Sequence, residues 1–178
     1  MLFRSLTLSL DDRVVDMIEG GFDVSIRIRL SMPDSALVAR RIGTMRQRIF
    51  ASPEYLRAHG TPDSPEALKA HRIIGFLLAY HLTQWTLTGN GGVIDLSLDP
   101  AIRVGNSMVL RDLLIAGQGI GTLPDFISDP EEANGTLVRV LPEYELPAPE
   151  IFAVTGSRLG IDARVSAFLD HLASALRS

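Results

Sequence analysis

Residues 116–126, AGQGIGTLPDF, decide how the surrounding chain folds. Before them, residues 108–116 carry apolar side chains at helical spacing, and Asn106 and Ser107 supply oxygens of the kind that cap a helix start. After them, residues 120–123 form a short apolar run that ends at Pro124, which is typical of a buried strand. The glycines therefore close a helix and open a strand. A dinucleotide-binding loop has the opposite order, so this motif does not indicate one.

Strands and helices alternate on both sides of this stretch. Residues 101–104 predict a strand before the helix, and residues 6–10 alternate apolar and polar side chains, as a strand with one buried face does. Residues 13–19 predict a helix, and residues 22–28 predict a second strand, buried at Val24, Ile26 and Ile28. A strand, a helix and a strand with short joins predict parallel pairing and a right-handed crossover. The sequence therefore predicts an α/β fold.

The other expected elements follow from caps, turns and periodicity. They are strands at 37–42, 48–51, 137–141 and 151–154, helices starting at Ser52, Ser64 and Asp129, a hairpin over 85–96, and a closing helix over 162–176. Trp85 is expected to be buried in the core. A basic stretch at 40–46 and a proline-rich stretch at 142–149 are the two predicted boundaries between lobes.

Composition excludes several classes of function. The 178 residues contain no cysteine, which rules out disulfides, thiolate zinc sites and cysteine nucleophiles. The 17 Lys and Arg against 21 Asp and Glu give a net charge of −4, which disfavours binding to a phosphate backbone. No serine nucleophile elbow and no paired metal-ligand histidines occur. We expect no enzyme activity, cofactor or metal. Without a secretory signal or a membrane-spanning apolar run, we also expect a cytoplasmic protein that does not enter the membrane.

Four segments together resemble a known family. They are DRVVD with GFDVSIR at 12–16 and 21–27, DSALVARR at 34–41, ASPEYL with HGTP at 51–56 and 59–62, and AGQGIGTLPDF at 116–126. In this order and spacing they resemble the effector-binding (substrate-binding) domain of LysR-type bacterial transcription regulators. The resemblance runs over nearly the whole chain.

The resemblance implies a two-lobed, periplasmic-binding-protein-like (type 2) fold with two crossover strands and an effector held in the cleft. It places residues 1–47 and 142–178 in the first lobe and residues 48–141 in the second. In the family a helix-turn-helix, a linker helix and one further strand and helix precede the point where this chain begins. We therefore expect an incomplete first lobe, and DNA contact only through the missing N-terminal domain.

Eight residues are predicted to contact the effector, because they match the family's helix starts, carry guanidinium groups that bind carboxylates, or end a strand at the ligand edge of an α/β sheet. They are Asp12, Arg27, Arg29, Asn106, Ser107, Met108, Thr122 and Pro124. Each also has a simpler interpretation. Asp12 and Asn106 can be plain helix caps, and the arginines can be solvated surface side chains.

The predicted function is sensing without catalysis. A small metabolite, a carboxylate or an aromatic compound, would favour one arrangement of the lobes and so shift a homodimer or higher homo-oligomer. The alternative is a solute-binding receptor of a transporter with the same fold, which would need export.

Overall fold

The computed structural model describes residues 5–10, 20–30, 38–79, 81–156 and 162–176. The chain divides into two compact units. Unit 1 is Met1–Met45 with Ala148–Ser178, and unit 2 is Arg46–Pro147.

In chain order the strands are β1 (Ser25–Arg29), β2 (Val38–Thr44), β3 (Gln47–Ala51), β4 (Ile73–Phe76), β5 (Gln84–Gly89), β6 (Gly92–Ser97), β7 (Ile102–Val104), β8 (Ile120–Pro124), β9 (Val138–Arg139) and β10 (Glu150–Thr155). The α-helices are α1 (Pro53–His59), α2 (Ser107–Ile115), α3 (Asp125–Ala133) and α4 (Ala163–Ala175), and a 3-10 helix spans Glu66–Ala70.

Unit 1 is built on a three-stranded antiparallel sheet in the order β1-β10-β2. Helix α4 packs against β2. The core of the unit lies between them and consists of Ile42, Met45, Ile151, Ala153, Leu169 and Ala173.

The predicted N-terminal strand–helix–strand unit is wrong where the structure describes it. Residues 6–10 form no strand, and Leu6, Leu8 and Leu10 are exposed. An alternating pattern makes a strand only where a neighbour pairs its backbone groups, and no described strand lies beside these residues. Strand β1 pairs with β10 in antiparallel fashion rather than with residues 6–10 in parallel. The predicted helix 13–19 lies outside the described residues.

The predicted buried face of β1 is also wrong. Ile26 and Ile28 are 45% and 43% exposed, and Val24 is half-buried. Their cross-strand partners Ala153 and Ile151 are buried. The difference arises because α4 packs mainly against β2, at the opposite edge of the three-stranded sheet from β1.

Unit 2 contains a five-stranded mixed sheet in the order β7-β4-β8-β3-β9. Strand β4 runs parallel to both β7 and β8, and β3 is antiparallel to β8 and β9. Helix α2 packs against this sheet, mainly on β8 and β4. The β5–β6 hairpin forms as predicted, and its Trp85 is buried in a core cluster with Leu87 and Leu96.

Side-chain caps mark two helix starts in unit 2, those of α1 and α2. Ser52 Oγ accepts from the Tyr55 amide and Gly60 ends α1, as predicted. The helix predicted from Ser64 is a 3-10 helix that begins after Pro65. The start predicted at Asp129 is wrong, because α3 begins at Asp125 and carries Pro130 within it.

The glycines between α2 and β8 let two backbones approach closely. A Cβ on Gly119 would clash with the carbonyl oxygen of Arg72, and one on Gly121 would lie 2.8 Å from that of Ile74. Gly117 ends α2 at a φ of +68°. The predicted helix stop with tight backbone packing is confirmed.

Candidate functional site

The carboxyl ends of three parallel strands meet at one edge of the unit 2 sheet. Strands β4, β7 and β8 end there at Phe76, Val104 and Pro124. Ligands of α/β proteins bind at this edge, because the loops and helix starts that follow the strands converge on it. This edge, which we call the strand-end site, is built from α2, the start of α3 and the loop after β4.

Helix α2 begins at this edge, directly after β7. Asn106 is its N-cap, and Oδ1 accepts from the amides of Met108 (3.0 Å) and Val109 (3.1 Å). Asn106 therefore acts as a helix cap, which is the alternative to effector contact given for it in the sequence analysis. The donors at this helix start that the cap does not use are the amide and the hydroxyl of Ser107, which is half-buried. Together with the positive end of the helix dipole, they favour a carboxylate.

Exposed apolar side chains lie on α2 and on the loop after β4, and Leu77 Cδ1 lies 3.9 Å from the position of a Cβ on Gly105, just before the helix. Met108 is 44% exposed, and Leu77 and Leu78 after β4 are about half-exposed. The amide of Leu77 donates to the carbonyl oxygen of Val104 (2.8 Å), which holds the loop after β4 beside the end of β7. A polar donor beside exposed apolar side chains suits a ligand with a carboxylate and a hydrocarbon body.

Thr122 lies on β8 and is buried rather than exposed at this edge. Its Oγ1 is 2.8 Å from Nε2 of His81, which is also buried. Burial lowers the pKa of His81 from 6.5 to about 4, so the imidazole is neutral near neutral pH. The His81–Thr122 hydrogen bond thus fixes the loop after β4 to the central part of the sheet. Sequence reasoning missed His81, because its partner lies 41 residues away along the chain.

Pro124 is also buried and precedes the first residue of α3. The start of α3 carries its own negative charge. Asp125 accepts from the Arg46 amide through Oδ2 (3.2 Å) and from the Phe126 amide through Oδ1 (3.0 Å). An anionic ligand is therefore favoured at the start of α2 and disfavoured at the start of α3. Asp125 and the exposed Phe126 were not predicted as site residues, although both belong to the motif at 116–126.

The remaining predicted residues lie in unit 1. Arg27 and Arg29 are on β1, and Arg29 pairs in register with Glu150. Nε of Arg27 is buried without a hydrogen-bond partner among the described residues. Asp12 lies outside the described residues. Asn106 thus caps α2, Ser107 and Met108 are its first two residues, and Thr122 and Pro124 lie on β8, against which α2 packs.

The described residues offer neither a metal site nor a membrane span. In the described part of the chain, no group of three or more His, Asp or Glu side chains could hold a metal ion. None of its helices is long and apolar enough to cross a membrane.

The comparison with protein families gives a match to the LysR substrate binding domain over residues 5–177. The HTH-type transcriptional regulator CrgA of Neisseria meningitidis serogroup C is 35% identical over 173 residues, which cover 96% of this chain and 57% of that protein. The HTH-type transcriptional regulator DmlR of Escherichia coli is 30% identical over 168 residues, covering 94% and 54%. The chain spans a little over half the length of these relatives.

Solved structures give the same result. The regulatory domain of CrgA from Neisseria meningitidis superposes with a TM-score of 0.77 at 34% identity, covering 89% of this chain and 78% of that one. Full-length AphB, a virulence activator of Vibrio cholerae, superposes with a TM-score of 0.79 at 26% identity, covering 95% and 57%. Such regulatory domains have the periplasmic-binding-protein-like type 2 fold, so the predicted fold class is confirmed.

Proposed function

Because the chain belongs to the LysR substrate-binding-domain family, we propose that it senses a small metabolite for a transcription regulator and catalyses no reaction. The effector is a small carboxylate with an apolar or aromatic body, and it binds at the strand-end site. In this proposal the two compact units serve as the two lobes of the sensor, and DNA is contacted by another part of the whole protein.

The observation that carries the proposal is the start of α2. It lies where three parallel strands end, and Ser107 offers an amide and a hydroxyl that the Asn106 cap leaves for a ligand. Met108, the next residue on α2, and Leu77, beside Gly105, are both exposed. A polar anchor with apolar surroundings is the usual composition of a small-molecule site.

Regulation follows if the effector prefers one arrangement of the regulator. A ligand shifts a conformational equilibrium only by its difference in affinity for the two states. In this proposal the partner that responds to this shift is a second copy of the protein, and the relatives are named as transcriptional regulators. Their naming also favours a role in the cytoplasm, where the regulated DNA is found.

A thermal-shift screen of the chain against small carboxylates and aromatic acids tests this proposal. A true effector at about 100 times its Kd should stabilise the protein by about 2.7 kcal/mol. Ser107→Ala should abolish most of that shift. Ser174→Ala, a serine exposed on α4, is the matched control and should keep it. Equal shifts in both variants would place the effector away from α2.

A further inference from the structure

Unit 1 contains a cavity between its sheet and α4. The cavity comprises about 280 Å³, part of it open to solvent. It is lined by Val38 and Arg40 of β2, Ala153 and Thr155 of β10, and Ser166 and Leu169 of α4. All six residues belong to unit 1, so this cavity is separate from the strand-end site in unit 2.

Thr155 gives the cavity a buried polar group. The residue is 6% exposed, and Oγ1 has no hydrogen-bond partner in the described part of the chain. Thr155 pairs in register with Val38, and Ala153 lies two residues earlier on the same face of β10. Burying a hydroxyl without a hydrogen-bond partner destabilises the folded state. Because this hydroxyl lies beside an open cavity, it points to a ligand in the cavity that forms the missing hydrogen bond.

Arg40 supplies positive charge to the same cavity. Its guanidinium forms an ion pair with Asp170, with 2.8 Å between Nη2 and Oδ1. A guanidinium has five N–H donors, and this contact uses one of its terminal nitrogens. The side chain is 47% exposed, so its remaining donors can turn toward the cavity. The positive charge disfavours a cationic ligand.

The remaining lining limits the size and character of the ligand. Val38, Ala153 and Leu169 provide an apolar surface, and the Ser166 hydroxyl is one further polar group. The volume that a solvent-sized atom can enter is about 40 Å³, far below the range of about 300–1,000 Å³ typical of sites for drug-sized ligands. Only a short hydrocarbon body fits.

We propose that this cavity is a second ligand site, which binds a short-chain monocarboxylate. Thr155 Oγ1 donates to one carboxylate oxygen, and Arg40 pairs with the carboxylate. The hydrocarbon chain lies on Val38, Ala153 and Leu169. The site would let unit 1 respond to a metabolite independently of the α2 start.

Propionate is the probe, and ¹⁵N amide chemical shifts of the chain are the readout. We expect saturable shifts at Thr155 and Arg40, with a Kd of the order of 1 mM, as suits so small a ligand. Thr155→Val keeps the shape and removes the hydroxyl, and should weaken binding about tenfold or more. Thr155→Ser keeps the hydroxyl and should retain binding.

The charge is tested with a matched pair of variants. Arg40→Gln and Asp170→Asn both break the ion pair, but only Arg40→Gln removes the positive charge. We expect Arg40→Gln to lose binding and Asp170→Asn to retain or strengthen it. Propanol and sodium chloride at equal concentration should give no saturable shift at Thr155.

Three results would overturn this site: no saturable shift with propionate, the same affinity in Thr155→Val as in the wild type, or equal binding of propanol. None of them bears on Ser107. The proposed function and this second site therefore fail separately.

Discussion

Among the residues that the structure describes, His81 is the buried group with the largest pKa shift. Burial lowers the pKa of its imidazole from 6.5 to about 4, so the unfolded chain binds more protons than the folded one between these values. Stability is therefore retained above about pH 6.5 and lost as the pH falls toward 4. Between pH 6.5 and about 4, this pKa shift lowers the free energy of unfolding by about 3 kcal/mol in total.

Urea unfolding at about pH 7 and about pH 4.5 measures this loss. His81→Gln keeps a donor near Thr122 without titrating, so its free energy of unfolding should depend less on pH than that of the wild type. His171 on α4 is exposed, and His171→Gln should behave as the wild type does. If His81→Gln loses as much stability as the wild type on acidification, the imidazole is not the titrating group.

At the level of residues, the sequence predicted what depends on near neighbours. Asn106 as a cap and the glycines after α2 were identified because caps and helix stops are local signals. The burial of Thr122 depends on His81, which reaches it across 41 residues. The hydroxyl of Thr155 has no partner among the described residues, and the cavity beside it forms where α4 packs on the sheet of β10 and β2. Contacts of this kind follow from tertiary packing and leave no local pattern in the sequence.

Helix α2 is the element on which the proposed site depends. Asn106→Ala removes the two cap hydrogen bonds and should destabilise the protein by about 1 kcal/mol. Asn106→Asp keeps a good cap but adds a negative charge beside Ser107. It should leave stability within about 0.5 kcal/mol and weaken binding of a carboxylate effector about tenfold or more.

Urea unfolding and effector titration separate these two effects. Asp162 caps α4 in unit 1. The control Asp162→Asn makes the opposite change of charge at a helix cap of the other unit, and it should leave effector affinity unchanged. Wild-type affinity in Asn106→Asp would show that a carboxylate does not bind at this helix start.

At the level of elements, local signals located α1, α2, α4 and the hairpin, whose caps and turns are complete in the sequence. Local signals gave wrong predictions for elements that form only through contacts with neighbouring elements. Residues 6–10 carry the strand pattern without a described partner. Helix α3 includes Pro130, which local rules place at a helix start.

The whole molecule combines two compact units with one predicted role. The fold class was predictable because four separate segments resemble the family in the same order, and family and structure comparisons agree with it. The position of the strand-end site followed from a general rule for α/β sheets. The exposed apolar side chains at this edge, such as Leu77 and Phe126, could not be predicted from the sequence. Their exposure is decided only when the sheet is assembled.

The most direct test of the central claim is an amide NMR titration of the chain with the strongest ligand from the carboxylate screen. We expect the largest saturable shifts at the amides of Ser107 and Met108, and we expect the ligand to be recovered unchanged. Largest shifts on α3 or in unit 1, or conversion of the ligand to a product, would contradict this claim.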